Sequence, residues 1–192
     1  MTYASDVLPV WDHALHLIKD YGYEYRDDPF RLSSGQLSHD YIDGKRAIAA
    51  GERLRVVSDA MIEHAKQQGM AFTHVGGLTM GADLLAGGIA LMADAGWFSV
   101  RKEPKGHGLR KWIEGSELGP DDRVLLVDDV VTTGSSILKA YEKVSEVGAV
   151  VIGVIPMVDR GEVAWRAFAD LGVPYAPLVT YDHLGIGPVG QG

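Results

Sequence analysis

The stretch that decides the fold is residues 124–136, Val124-Leu-Leu-Val-Asp-Asp-Val-Val-Thr-Thr-Gly-Ser-Ser136. Val124, Leu125, Leu126 and Val127 form an unbroken apolar run, the pattern of a strand buried on both faces of a parallel sheet. Asp128 and Asp129 follow where that strand is expected to surface. Beyond Val130 and Val131 come Thr132, Thr133, Gly134, Ser135 and Ser136, small hydroxyl residues around a glycine. Ile137, Ala140, Tyr141 and Val144 then recur at helical spacing. Ligands of open α/β sheets collect outside the carboxyl ends of the strands, so the acidic pair and the hydroxyl turn stand where chemistry is done.

A turn of small residues entering a helix points backbone N–H groups outward with the helix dipole behind them, and a phosphate monoester fits such a cradle. Two carboxylates would repel a phosphate, but they accept hydrogen bonds from sugar hydroxyls. A ribose 5-phosphate satisfies both halves of the motif. An acidic strand-to-helix turn of an unrelated α/β protein, such as a receiver-type domain, is the alternative that this stretch leaves open.

The rest of the chain narrows the choice. Its 192 residues suit one domain, expected to span 1–192, and 46% hydrophobic with 23% charged residues are globular values. With no cysteine there is no disulfide, thiolate metal site or catalytic thiol. A net charge of -8 argues against nucleic-acid binding, which needs basic surface. No apolar run approaches the ~18 residues of a membrane span, and the first residues lack the build of a signal peptide. A soluble, cytoplasmic protein with no membrane partner is expected.

Working outward, residues 5–21 place Val7, Leu8, Trp11, Ala14, Leu15 and Ile18 at helical spacing, and His13 and His16 on this helix read as surface residues. Residues 30–43 are dense in hydroxyls and glycine between apolar patches, a strand-turn-strand signature. Residues 54–66 read as a helix ending near Gly69. Residues 72–75 form a strand that opens into Gly76-Gly77-Leu78-Thr79-Met80-Gly81 and a small-residue helix, whose crowded glycines would let a charged ligand approach the backbone. After the strand 97–100, five of the eighteen Lys and Arg residues fall within 101–111. This basic segment, hinged by Gly106 and Gly108 around His107, could close over an anionic leaving group. A long strand over 150–158 runs into Asp159-Arg160, a helix covers 163–171, a last strand spans 173–180, and the tail from Gly185 reads as flexible or loosely docked.

Four of these segments, in this order, resemble the orotate phosphoribosyltransferases. Residues 124–136 resemble the 5-phosphoribosyl-1-diphosphate (PRPP) binding motif of type I phosphoribosyltransferases. Arg101, Lys102, Lys105 and His107 fall on the family's Arg-Lys-x-x-Lys-x-His-Gly loop, and Ile113, Glu114 and Gly115 on the Ile-Glu-Gly that closes it. Residues 30–38 resemble the early Phe-x-Leu-x-Ser-Gly-x-x-Ser turn that faces the base, and Arg160 stands at the family's carboxylate-binding arginine. Many members carry lysine at the positions of Ser33 and Met80, which depart from the pattern. Lys45 and Arg46 stand near enough in sequence to substitute at the base.

The resemblance implies an α/β type I phosphoribosyltransferase fold, a doubly wound, mainly parallel sheet flanked by helices, with an N-terminal hood mainly from about 1–45. It implies transfer of phosphoribosyl from PRPP to orotate, giving orotidine 5'-phosphate and pyrophosphate in pyrimidine biosynthesis. Asp128 and Asp129 would hold the ribose hydroxyls and Thr132, Thr133, Gly134, Ser135 and Ser136 the 5-phosphate, with Val130 and Val131 also in the PRPP site. Arg101, Lys102, Lys105 and His107, with Thr79 and Met80, would hold the pyrophosphate. Lys105, His107, Asp128 and Asp129 are the expected catalytic residues, and Thr132, Arg160 and Ser33 the orotate contacts. Mg2+ is implied as a cofactor bound through PRPP and not by a protein cage. A homodimer whose 101–111 loop reaches the neighbouring site is implied as well. A phosphoribosyltransferase for another nucleobase, and a non-catalytic PRPP-binding regulator, are the rival functions.

Overall fold

The computed structural model describes residues 9–32, 35–104 and 112–189. In chain order the elements are α1 (Val10–Leu17), a π-helical turn (Ile18–Gly22), β1 (Tyr23–Arg31), β2 (Leu37–Ile42), α2 (Gly44–Ala47), α3 (Gly51–Gln67), β3 (His74–Leu78) and α4 (Asp83–Ala93). They continue with β4 (Gly96–Val100), β5 (Ile113–Gly115), β6 (Arg123–Val131), α5 (Ser135–Glu146), β7 (Val150–Asp159), α6 (Ala164–Asp170), β8 (Val179–Thr180) and α7 (Tyr181–Leu184).

Six strands form one sheet in the order β5-β4-β3-β6-β7-β8, parallel throughout except where β5 turns back antiparallel on β4. The apolar run at the start of β6 explains itself in this setting. Leu125 and Val127 pack with Val57, Met61, Leu85 and Ile89 of α3 and α4 on one face of the sheet. Val124 and Leu126 pack with Ile137, Val144 and Phe168 of α5 and α6 on the other. A strand covered on both faces has no use for polar alternation. Strand β3 can lie against β6 only because it is glycine-rich: a Cβ on Gly77 would overlap the Val127 carbonyl oxygen and sit 2.6 Å from Ala82 Cβ. The separate β1-β2 hairpin is antiparallel with a register shift between Tyr25 and Phe30. The Arg26 guanidinium stacks 3.9 Å from the centre of the Tyr41 ring, which itself meets Phe30 edge-on.

The helix described at the start of the chain covers Val10–Leu17 with Pro9 at its N-cap, and residues 5–8 of the expected helix lie outside the described residues. Three expectations are corrected. Strand β6 does not surface at Asp128 but runs on to Val131, because β7 is long enough to pair Asp128 with Pro156, Val130 with Val158 and Val131 with Asp159. The last strand shrinks to Val179–Thr180, since Pro174 and Pro177 interrupt the edge. Even so, the Ala176 and Leu178 N–H groups donate to β7 carbonyls at 2.9 Å. The tail is docked as far as Val189, which is buried and whose N–H donates to the Arg160 carbonyl at 2.8 Å.

Candidate active site

The carboxyl end of β6 carries the acidic pair. Asp128 is 5% exposed and Asp129 half-buried beside it. The Asp129 N–H donates to Asp128 Oδ1 at 3.0 Å and the Val130 N–H to Asp129 Oδ1 at 2.9 Å. Burial, reinforced by the neighbouring Asp129 charge, pushes the Asp128 carboxyl up to about 7. Removing a carboxylate from water disfavours its charge, and a second carboxylate beside it adds to the cost. Two glycines make room for the pair. A Cβ on Gly81 would lie 2.5 Å from Asp128 Oδ1 and 2.6 Å from Asp129 Oδ1. One on Gly44 would lie 2.8 Å from Asp129 Cβ.

Directly after the pair, Asp128 and residues 130–137 line a cleft of about 120 Å3. Gly134 caps α5 with φ 83°, and a Cβ there would meet Ala164 Cβ at 2.8 Å. A glycine is therefore required twice over, by backbone conformation and by the close approach of α6. The first N–H groups of α5 have no carbonyl of their own helix to bond, and they border this cleft with Thr132, Thr133, Ser135 and Ser136. The turn in which a phosphate was expected thus lines an open cleft, next to the carboxylates and not separated from them.

The loop from β3 to α4 forms a second wall. Thr79 Oγ1 donates to Asp83 Oδ2 at 2.6 Å and Ser99 Oγ to Asp83 Oδ1 at 2.7 Å, so Asp83 ties the loop to β4. Met80, 68% exposed, stands free of the core with nothing to bury it. On the opposite side Arg160, at the end of β7, is 2% exposed and reaches under β2. Its Nη1 donates to the Asp40 carbonyl at 2.6 Å and its Nη2 to Ser38 Oγ at 3.5 Å, while Nε is buried without a partner among the described residues. Burial pulls the guanidinium below its usual range, and the nearby Asp40 and Tyr23 act against this. Donor capacity is therefore left over at a buried arginine, the condition for taking a ligand carboxylate.

Arg101 is engaged near its own strand: its Nη1 donates to Glu114 Oε1 at 2.9 Å and its Nε to the Glu103 carbonyl. Lys102 is exposed, and its carbonyl accepts from Lys139 Nζ at 2.6 Å. Ser33, Lys105 and His107 lie outside the described residues. Among the described residues no group of three or more His, Cys, Asp or Glu side chains is placed to hold a metal ion, and no helix is long and apolar enough to cross a membrane. Sequence reasoning missed Gly44 and Asp83, and it read Gly81 only as one of the loop glycines that let a ligand approach, not as a neighbour of the acidic pair. Both glycines do their work against residues about 50 to 85 positions away, and Asp83 reads in sequence only as the acidic first residue of a helix.

A hydroxyl-lined cleft at a helix start and an acidic pair at the carboxyl edge of a mainly parallel sheet place this chain in the class of α/β proteins that bind their ligands at the strand ends. Residues 47–165 match the family described as "Phosphoribosyl transferase domain". The orotate phosphoribosyltransferase of Aquifex aeolicus is 42% identical over 174 residues, covering 88% of this chain and 93% of its own length. That of Pyrococcus furiosus is 41% identical over 155 residues, covering 81% and 85%. The crystal structure of Mycobacterium tuberculosis H37Rv orotate phosphoribosyltransferase in complex with PRPP superposes with a TM-score of 0.75 at 32% identity, covering 93% of this chain and all of the other. The chain belongs to the orotate phosphoribosyltransferase family of the type I phosphoribosyltransferases.

Proposed function

We propose that the chain transfers the 5-phosphoribosyl group of PRPP to a ring nitrogen of orotate, giving orotidine 5'-phosphate and pyrophosphate in pyrimidine biosynthesis. The observation that carries this reading is the junction of the buried acid pair with the hydroxyl-lined cradle at the end of β6. The bond from ribose C1 to the pyrophosphate oxygen breaks, its electron pair leaves with pyrophosphate, and the orotate ring nitrogen forms the new bond to C1 while its N–H proton passes to the pyrophosphate or to solvent. Positive charge grows on the sugar as this happens, and stabilising it is an electrostatic task.

Asp128 and Asp129 accept hydrogen bonds from the ribose hydroxyls and set negative charge beside the developing cation. Residues 132–136 grip the 5-phosphate through hydroxyls and the N–H groups of α5. The Thr79 and Met80 loop, Arg101 and Lys102, with Lys105 and His107, take the pyrophosphate; Arg101 must first leave Glu114. Arg160 and Thr132, with Ser33, take the orotate carboxylate and ring. Mg2+, when bound, neutralises the polyphosphate oxygens that hold it, which suits a hard cation. The whole chain works as one domain, with the N-terminal hood of about 1–45 closing over the base.

The partner of the enzyme is a second copy of itself, with the 101–111 loop serving the neighbouring site. Leu84 and Leu91, 47% and 85% exposed one above the other on α4, and Trp97 on β4 support such a contact. The cytoplasm is the proposed compartment, because a polyanion such as PRPP does not cross a lipid bilayer unaided.

An assay of orotate plus PRPP, with and without Mg2+, tests the reading: orotidine 5'-phosphate should appear only with all three. Orotate inactive beside another active nucleobase would overturn the choice of base, and PRPP binding without turnover of any base would leave a regulator. Arg160→Ala should raise the KM for orotate about a hundredfold while leaving that for PRPP within a few-fold, on the scale of a lost bidentate, charge-assisted contact.

A further inference from the structure

Arg160 is a buried cation with no carboxylate partner among the described residues. It takes the backbone carbonyl of Asp40, at 2.6 Å, and not the carboxylate of that residue. The Asp40 carboxylate is held by the facing strand of the hairpin, where its Oδ1 accepts the Tyr23 hydroxyl at 2.9 Å. Tyr23 on β1 reaches it diagonally, since Tyr25 is paired with Asp40 and Tyr23 with Ile42. Among the described residues that hydroxyl is the only donor the carboxylate has. Arg26 on β1 and Arg46 on α2 do not neutralise it, because both pair with Glu24, at 3.2 and 3.4 Å. The Asp159 carboxylate next to Arg160 is occupied in its turn by the Gly161 N–H and the Tyr175 hydroxyl.

We propose that Tyr23 is a positioning residue for orotate: its hydroxyl holds the Asp40 carboxylate away from Arg160, so that the buried guanidinium keeps its spare donor for the carboxylate of the substrate. The inference rests on the reading of Arg160 as the orotate-carboxylate contact. The carboxylate and the carbonyl of Asp40 are only a few bonds apart, and the carbonyl already touches the guanidinium. At a site shielded from water, opposite charges so close attract strongly. Released from Tyr23, the Asp40 carboxylate would turn to the Nε donor that has no partner and make the charge-assisted contact that orotate needs. Burial, and then the hydrogen bond to Asp40, raise the Tyr23 hydroxyl above its usual range, so it stays protonated and donating. The backbone of Asp40 is fixed separately, because Ser38 Oγ accepts the Asp40 N–H at 3.0 Å. Loss of the Tyr23 hydroxyl therefore frees the side chain of Asp40 and leaves its carbonyl in place.

The test is steady-state kinetics of the full chain with Mg2+, reading the KM for orotate at saturating PRPP and the KM for PRPP at saturating orotate. The proteins compared are the natural one, Tyr23→Phe, Asp40→Asn and the double variant. Tyr23→Phe should raise the KM for orotate about tenfold, the scale of one charge-assisted hydrogen bond that the substrate must now displace, with the KM for PRPP unchanged. Asp40→Asn has no charge to offer Arg160 and should keep the natural KM for orotate. Added to Tyr23→Phe, it should restore that KM. An unchanged KM for orotate in Tyr23→Phe would overturn the inference. So would a double variant as impaired as Tyr23→Phe, since the loss would then come from a loosened hairpin. A raised KM in Asp40→Asn alone would overturn it too, by making the carboxylate a needed partner of Arg160. No turnover of orotate by the natural protein, or an unchanged KM for orotate in Arg160→Ala, would instead overturn the reading of the orotate site, and the inference with it.

Discussion

Asp128 and Asp159 lie at the carboxyl ends of adjacent strands, and both are buried, 5% and 3% exposed. Burial pushes both carboxyls upward. What differs is the company. Asp159 accepts the Gly161 N–H at 3.0 Å on one oxygen and the Tyr175 hydroxyl at 2.8 Å on the other, and both donors pull its carboxyl back down. Among the described residues Asp128 receives only the Asp129 N–H, while the Asp129 carboxylate makes its ionisation harder. An acid that holds a fold together is surrounded by donors; an acid kept for a ligand has them withheld and is held open at a cost in stability.

The largest effect should come from filling the space in front of the pair. Gly81→Val places side-chain atoms where Asp128 and Asp129 oxygens now stand, and kcat/KM for PRPP should fall by at least about a thousandfold, since loss of oriented electrostatic contacts costs on that scale. A variant of normal activity would show that the pair is not used.

Asp128→Asn comes next and cuts two ways. It should lower kcat/KM about a hundredfold or more and yet stabilise the fold. The folded carboxyl titrates about 7 against an ordinary value of 3.8. The stability that comes with its protonated form is complete below the ordinary value and is lost as pH rises toward 7, so the natural protein carries the whole penalty at pH 8 and part of it at pH 5. Denaturant melts should find Asn stabilising by about 2 kcal/mol more at pH 8 than at pH 5.

The structural acid should answer in the opposite sense. Tyr175→Phe strips one donor from Asp159 and should cost about 1–2 kcal/mol in the same melts, with the KM for PRPP unchanged. Stabilisation instead would erase the distinction between the two aspartates. Smallest of all, Glu114→Gln breaks the Arg101 pair between side chains about 40% exposed. It should move stability by less than about 0.5 kcal/mol, and any rise in pyrophosphate affinity would report the release of Arg101.

The central motif was legible because its parts are neighbours in the chain. The run 124–127 declared a strand covered on both faces, and residues 128–136 declared acids followed by an anion cradle. Arg160 was legible for the same reason, as a cation at a strand end. Its burial beneath β2, with the Asp40 carbonyl as partner, was not, because that contact joins residues 120 positions apart. Pro174 and Pro177 carried the correction to the limits of the last strand in plain view. Docking of the tail had no local signal, since Val189 is held by backbone atoms at Arg160 and Gly161.

Local pattern therefore sufficed for the strand-helix alternation and for the chemical types gathered at the end of β6, since periodicity and turn chemistry are written in adjacent residues. Packing alone chose which acid receives donors and which glycines stand against carboxylates. Those choices depend on distances across the sheet edge, between segments that meet only when the chain is folded.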